Sequence, residues 1–152
     1  MAEFDYQNVE AWNTAIKLTT AVGRLRVGSN LKASADAQTE AFKQAGMAAA
    51  LIAEASGREG GAQVSLYRDA RGSLAQVRSW LHVLASLMNE QDTVFGAEFD
   101  LAEQCARQVS GTLRTIDRGP APMQNPQPQR PPMRGPSPRP GGPRNSGSGG
   151  PR

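Results

Sequence analysis

Apolar residues recur at intervals of three and four along most of this chain, the spacing that gathers them on one face of an α-helix. Over about residues 8–26 the recurrence runs through Val9, Trp12, Ile16, Thr19 and Val22. Over about residues 35–57 it runs through Phe42, Ala45, Ala49, Ile52 and Ser56. A stronger stripe follows over about residues 62–88, carried by Leu66, Ala70, Leu74, Val77, Leu81, Leu84 and Met88. The last, over about residues 94–116, is carried by Phe95, Phe99, Ala102, Ala106, Val109, Leu113 and Ile116. No strand-like alternation of useful length competes with these stripes, so the pattern predicts an all-α fold.

The breaks between stripes carry the residues that end and start helices. Gly28, Ser29 and Asn30 separate the first two, with Ser34 the expected N-cap of the second. Gly57, Gly60 and Gly61 separate the second from the third. Asn89 to Thr93 separates the third from the fourth, with Asp92 or Thr93 as the expected cap. Short connections between four long helices favour an antiparallel, up-and-down four-helix bundle.

Some apolar groups fall outside these narrow stripes. The second helix has alanine on more than one face, together with Met47 and Leu51; the third adds Trp80 and Leu87, the fourth Leu101 and Cys105. Two readings fit: a bundle that wraps these groups internally, or subunit contacts in an oligomer.

Composition changes abruptly after the fourth stripe. All eleven prolines lie at or beyond Pro120, and every aromatic residue lies between Phe4 and Phe99. The expected domain is therefore residues 1–117, and residues 118–152 read as a disordered Pro/Gly/Arg-rich tail, too poor in large apolar groups to offset the entropy of ordering. Charge divides at the same point. The six arginines from Arg118 onward meet no acid, giving the tail +6, while the body keeps 11 basic and 14 acidic residues, or −3. The net charge of +3 thus belongs to the tail rather than to the domain.

Cys105 is the only cysteine, which excludes an intramolecular disulfide and fits a reducing compartment. Glu3, Asp5 and Glu10 stand where a signal peptide needs a basic start, and no segment has the roughly 18 consecutive apolar residues of a membrane helix. The expectation is a soluble, cytoplasmic protein with no membrane partner.

Catalytic chemistry finds little footing. With one histidine, His82, and one cysteine, neither a His/Cys metal site nor a Cys–His dyad has support, and the Glu-x-x-His spacing of bundle metal sites does not occur. Gly57-Arg-Glu-Gly-Gly is glycine-rich but lacks the Lys-Ser/Thr of a phosphate-cradling loop. The chain reads as no enzyme, with no cofactor and no metal.

A cationic row remains. On a helical wheel Arg68, Arg71, Arg78 and His82 fall within an arc of roughly 80°, away from the apolar stripe. Such a row suits a line of phosphates, each contact releasing counterions; the plainer reading is a solvated face paired with nearby acids. In the tail, Arg130, Arg134, Arg139 and Arg144 suit electrostatic tracking of a phosphate backbone. The same segment also suits docking on an aromatic groove, or service as a solubilising tail with no fixed partner. Glu54 and Arg58, four apart, are spaced to pair on the second helix.

Two segments carry a family resemblance. Ile52-Ala-Glu-Ala-Ser-Gly-Arg58 resembles an Ile-Ala-Glu-Gly-x-Gly-Arg motif, and Leu66-Tyr-Arg-Asp-Ala-Arg-Gly-Ser-Leu74 resembles Leu-Tyr-x-x-Ala-x-Gly-Ser-Leu. Trp12 and Ala15 match a Trp-x-x-Ala in the first helix. These motifs resemble the bacterial four-helix-bundle proteins encoded in intervening sequences of 23S ribosomal RNA genes, a family that includes the accessory variability determinant of diversity-generating retroelements. The resemblance spans about residues 6–116. Where the family often has Ser-Ile-Pro-x-Asn, this chain reads Met47-Ala-Ala-Ala-Leu51, and Gln76 replaces the Glu after Gly-Ser-Leu. The resemblance implies a homopentameric ring of bundles with a basic surface. For the retroelement branch it also implies RNA or RNA–DNA as a ligand and a reverse transcriptase as a partner. Arg58, Arg68, Arg71, Arg78 and His82 are the residues expected to meet nucleic acid, in an oligomeric accessory protein. The alternative is a protein-interaction scaffold whose Pro-rich tail recruits a partner.

Overall fold

The first 119 residues contain no proline to interrupt a hydrogen-bond ladder, and four α-helices form among the residues described there. The computed structural model describes residues 5–28 and 32–119. Helix α1 spans Glu10–Gly23, α2 Lys32–Ser56, α3 Gly60–Leu87 and α4 Gly96–Arg118, with short 3-10 helices at Tyr6–Asn8 and Asp92–Phe95. Among the described residues there is no strand, and no helix is long and apolar enough to cross a membrane. Helix α4 runs one residue past the expected boundary at Asp117. The whole of the expected tail beyond Gly119 lies outside the described residues.

The helices meet as a cycle of neighbours: α1 packs on α2 and α4, α3 packs on α2 and α4, and the α2–α3 pair is the most extensive. Alanine explains that pair. Ala41, Ala45, Ala48 and Ala55 of α2 are wholly buried, letting the larger Leu74, Val77, Leu81 and Leu84 of α3 fill the space between the helices. Only residues 57–59 join the two, and Gly60 takes φ +63°, a left-handed conformation suited to glycine. Gly60 and Gly61 thus belong to the first turn of α3 rather than to the expected linker.

Between α1 and α2, the ring of Phe42 lies against Gly23, and Thr19 Cγ2 is 4.0 Å from the place a Cβ on Gly46 would occupy. The last carbonyls of α1 have no helical partner, and no basic residue stands in its last turn. Gln38 serves instead: its Nε2 donates to the carbonyls of Val22 at 3.0 Å and Leu25 at 2.8 Å. Between α1 and α4, Cys105 Sγ donates to the Ala11 carbonyl at 3.4 Å. Helix α3 ends in a Schellman motif, with Asn89 at φ 55° and the Glu90 N–H donating to the Ala85 carbonyl at 2.9 Å.

Several expectations need correction. The buried face of α1 is Ala11, Thr14, Ala15, Leu18 and Val22, and Ile16 is 40 % exposed. That face is rotated by one residue step, roughly 100°, from the stripe the sequence suggests. Small residues at 11, 14 and 15 let α1 approach its neighbours, and the bulkier Val9 and Trp12 sit half-buried at the flank. Phe42 is likewise exposed on α2, one step off an alanine-lined face. Cys105, expected outside the seam, is fully buried because α4 meets α1 as well as α3.

The caps differ too. Helix α2 has begun by Lys32, so Ser34 lies within its first turn, buried, with Oγ unpartnered. The 3-10 helix at Asp92–Phe95 runs directly into α4, making Phe95 the cap residue without a side-chain bond, and neither Asp92 nor Thr93 caps that helix.

Candidate nucleic-acid interface

Steps of three, seven and four residues separate Arg68, Arg71, Arg78 and His82, and a helical repeat of 3.6 keeps all four along one side of α3. All four are exposed. That side is not turned away from the rest of the fold: it borders α4 at both ends.

At one end, Arg68 and Arg71 share a concavity of about 380 Å³ with Ser110, Leu113, Arg114 and Asp117 of α4. Three arginines therefore line one hollow together with a single acidic residue. Among the described residues, no carboxylate oxygen lies within 4.0 Å of Arg68, Arg71, Arg78 or Arg114. Leu113 is nearly buried and forms an apolar floor. At the other end, His82 Nδ1 is 2.8 Å from Asp92 Oδ2, and its ring stacks tilted on Phe99 at 4.6 Å between centroids. His82 thus ties the end of α3 to the segment leading into α4, while the three arginines keep their charge unpaired.

Arg58 is engaged differently. It lies just past α2, where its guanidinium meets Glu54 at 3.2 Å, with both side chains more than half exposed. An exposed pair of that kind contributes only a few tenths of a kcal/mol, so Arg58 remains able to exchange partners. Arg130, Arg134, Arg139 and Arg144 lie outside the described residues.

Arg114 was not legible as a site residue. It stands alone between Leu113 and Thr115, and only the seating of α4 beside α3 brings it to Arg68 and Arg71. The spacing of Arg107 and Arg114, seven apart, is a faint signal, but Arg107 meets Glu103 at 3.7 Å on its own helix.

The reactive groups of the core are muted. Burial pushes the Cys105 thiol up to about 12, and burial also raises the Tyr67 phenol; neither supplies an anion near neutral pH. Among the described residues, no group of three or more His, Cys, Asp or Glu is placed to hold a metal. A second hollow, about 280 Å³, is lined by Gly23, Gln38, Thr39 and Phe42 and carries no charge.

Fold and site together define, among the described residues, an all-helical body of four α-helices with an arginine-lined groove between α3 and α4. No protein-family model matches the chain, nor does any curated protein or any solved structure.

Proposed function

We propose that this chain is a non-enzymatic, oligomeric nucleic-acid-binding accessory protein that contacts RNA or RNA–DNA through the arginine row of α3. The observation that carries the reading is the row itself: Arg68, Arg71 and Arg78 are exposed along one side of a 28-residue helix with no carboxylate within 4.0 Å among the described residues. Solvated charge faces are ordinarily laced with opposite charge. A row of unpaired guanidiniums has the character of a phosphate-contact surface, where planar forks match phosphate oxygens.

In this reading the helices form an antiparallel, up-and-down bundle. Going back along α1 from Gly23 to Thr19 meets α2 going forward from Phe42 to Gly46, which supports opposite directions. Early residues of α3, Arg68 and Arg71, adjoin late residues of α4, while His82 adjoins Phe99, supporting the same for α3 and α4. Ile16, Phe42, Met47 and Val83 are large apolar groups left exposed by one chain, which supports self-association. The homopentameric ring, the cytoplasmic location and the reverse-transcriptase partner rest on the family resemblance. A ring would repeat the arginine row around its circumference, so that weak sites add by multivalency.

Fluorescence titration of a single-stranded RNA at several salt concentrations tests the reading. The variant with Arg68→Gln, Arg71→Gln and Arg78→Gln should bind more weakly, and the slope of log affinity against log salt should flatten by about 0.7 for each phosphate that is no longer neutralised. Unchanged affinity and slope would remove the α3 row from the interface. The scaffold reading is favoured by the uncharged hollow beside the exposed Phe42; its mark is a protein complex that survives nuclease and disappears when residues 118–152 are deleted.

A further inference from the structure

Like charges gathered around one hollow repel each other, and the repulsion is strongest where an apolar floor lowers the local dielectric. Arg68, Arg71 and Arg114 are so gathered, above Leu113, and Asp117 offsets only one of the three charges. The hollow therefore carries a formal charge of +2 from the groups that line it. Two helices supply it. Arg68 and Arg71 are one turn apart on α3, while Ser110, Arg114 and Asp117 rise from successive turns of α4.

We infer that this hollow is a discrete binding pocket for one phosphate group, with Arg114 of α4 completing a site that the α3 arginines begin. The proposal rests on the nucleic-acid reading above and adds a defined seat to it. Each guanidinium presents a planar fork of N–H donors, and a tetrahedral phosphate offers oxygens in enough directions to engage forks from both helices. A planar carboxylate offers only two oxygens and a single charge. The Ser110 hydroxyl, half-buried at the wall, adds a neutral donor. Asp117 sets the balance: it keeps the empty pocket from holding three unopposed charges and opposes any anion that enters.

The pocket accepts phosphate chemistry from two sources, the diester backbone of a strand and the monoester at a 5′ end. A monoester carries a charge of about −1.5 to −2 near neutral pH, which matches the pocket more closely than the single charge of a diester.

The test uses the full chain and two single-stranded RNAs of one sequence, ending in a 5′-hydroxyl or a 5′-phosphate. Inorganic phosphate serves as competitor, against sodium chloride at the same ionic strength. Arg114→Gln should weaken binding about tenfold, with Arg114→Lys recovering only part of the loss, because a point charge replaces a fork. Asp117→Asn should tighten binding a few-fold, and helical circular dichroism should be unchanged in all three. Inorganic phosphate should compete where chloride does not. A 5′-phosphate that adds several-fold to affinity assigns the pocket to chain ends; equal affinity assigns it to the backbone. Wild-type affinity in both Arg114→Gln and Asp117→Asn overturns the pocket. If the three α3 substitutions then still weaken binding, the function stands without it; if they too are silent, both readings fall.

Discussion

Cys105 couples the packing of α1 on α4 to pH, and the size of that coupling can be worked out. Its Sγ is fully buried and donates to the Ala11 carbonyl at 3.4 Å. Loss of solvent moves the thiol from its ordinary 9.0 to about 12 in the fold. Above the unfolded value, the unfolded chain releases a proton that the folded chain retains, so rising pH favours unfolding. The stabilisation is whole below about pH 9 and is lost progressively as pH climbs toward the folded value. One unit above the unfolded value, near pH 10, the loss amounts to roughly 1 kcal/mol. Urea unfolding of the wild type and of Cys105→Ala, followed by helical circular dichroism at about pH 7 and about pH 10, isolates it. The alanine variant carries a packing penalty at both pH values but not the pH-dependent term. Tyr67, whose raised phenol acts in the same sense at higher pH, is present in both proteins and cancels. The wild type should therefore lose about 1 kcal/mol more than the variant between the two conditions. Equal losses would mean that the thiol ionises freely in the fold and that α4 does not seal it against α1.

Two further substitutions probe features that the packing alone reveals. Gln38→Ala removes both side-chain hydrogen bonds from the end of α1 and should cost about 1–2 kcal/mol in urea unfolding, with faster amide exchange at the N–H groups of the last turn of α1; no change would mean that water serves those carbonyls equally well. Ile16→Ser, at a position 40 % exposed, should change the stability of the dissociated chain by no more than about 0.5 kcal/mol. A loss above about 2 kcal/mol would return Ile16 to the core stripe that its spacing suggests.

The stripes of α3 and α4 were legible because leucine, valine and phenylalanine recur there against charged neighbours, and the positions bearing them are buried or half-buried as the period requires. The α2 stripe held at Ala45, Ala49, Ile52 and Ser56, all buried, but much of the core in α1 and α2 is alanine, which marks a face weakly. Trp12, Ile16 and Phe42 are larger and draw the apparent stripe toward themselves, yet close helix approach favours the small side chains and leaves the large ones at the flank. The caps failed for a related reason. Ser34 and Asp92 are sound capping types, but each lies where the chain does something else: one within an established helical turn, the other beside His82.

The chain's own order of residues determined that the described body is helical, that it has four helices and that Arg68, Arg71 and Arg78 share a side of the third, since each follows from local spacing and a 3.6-residue repeat. Tertiary structure decided what lies beside them. The pairing of α3 with α4 brought Arg114 and Asp117 to the arginines and Asp92 to His82; the pairing of α1 with α4 buried Cys105. Register between helices depends on how whole surfaces of unequal side chains fit together, and no local window of the sequence contains both surfaces.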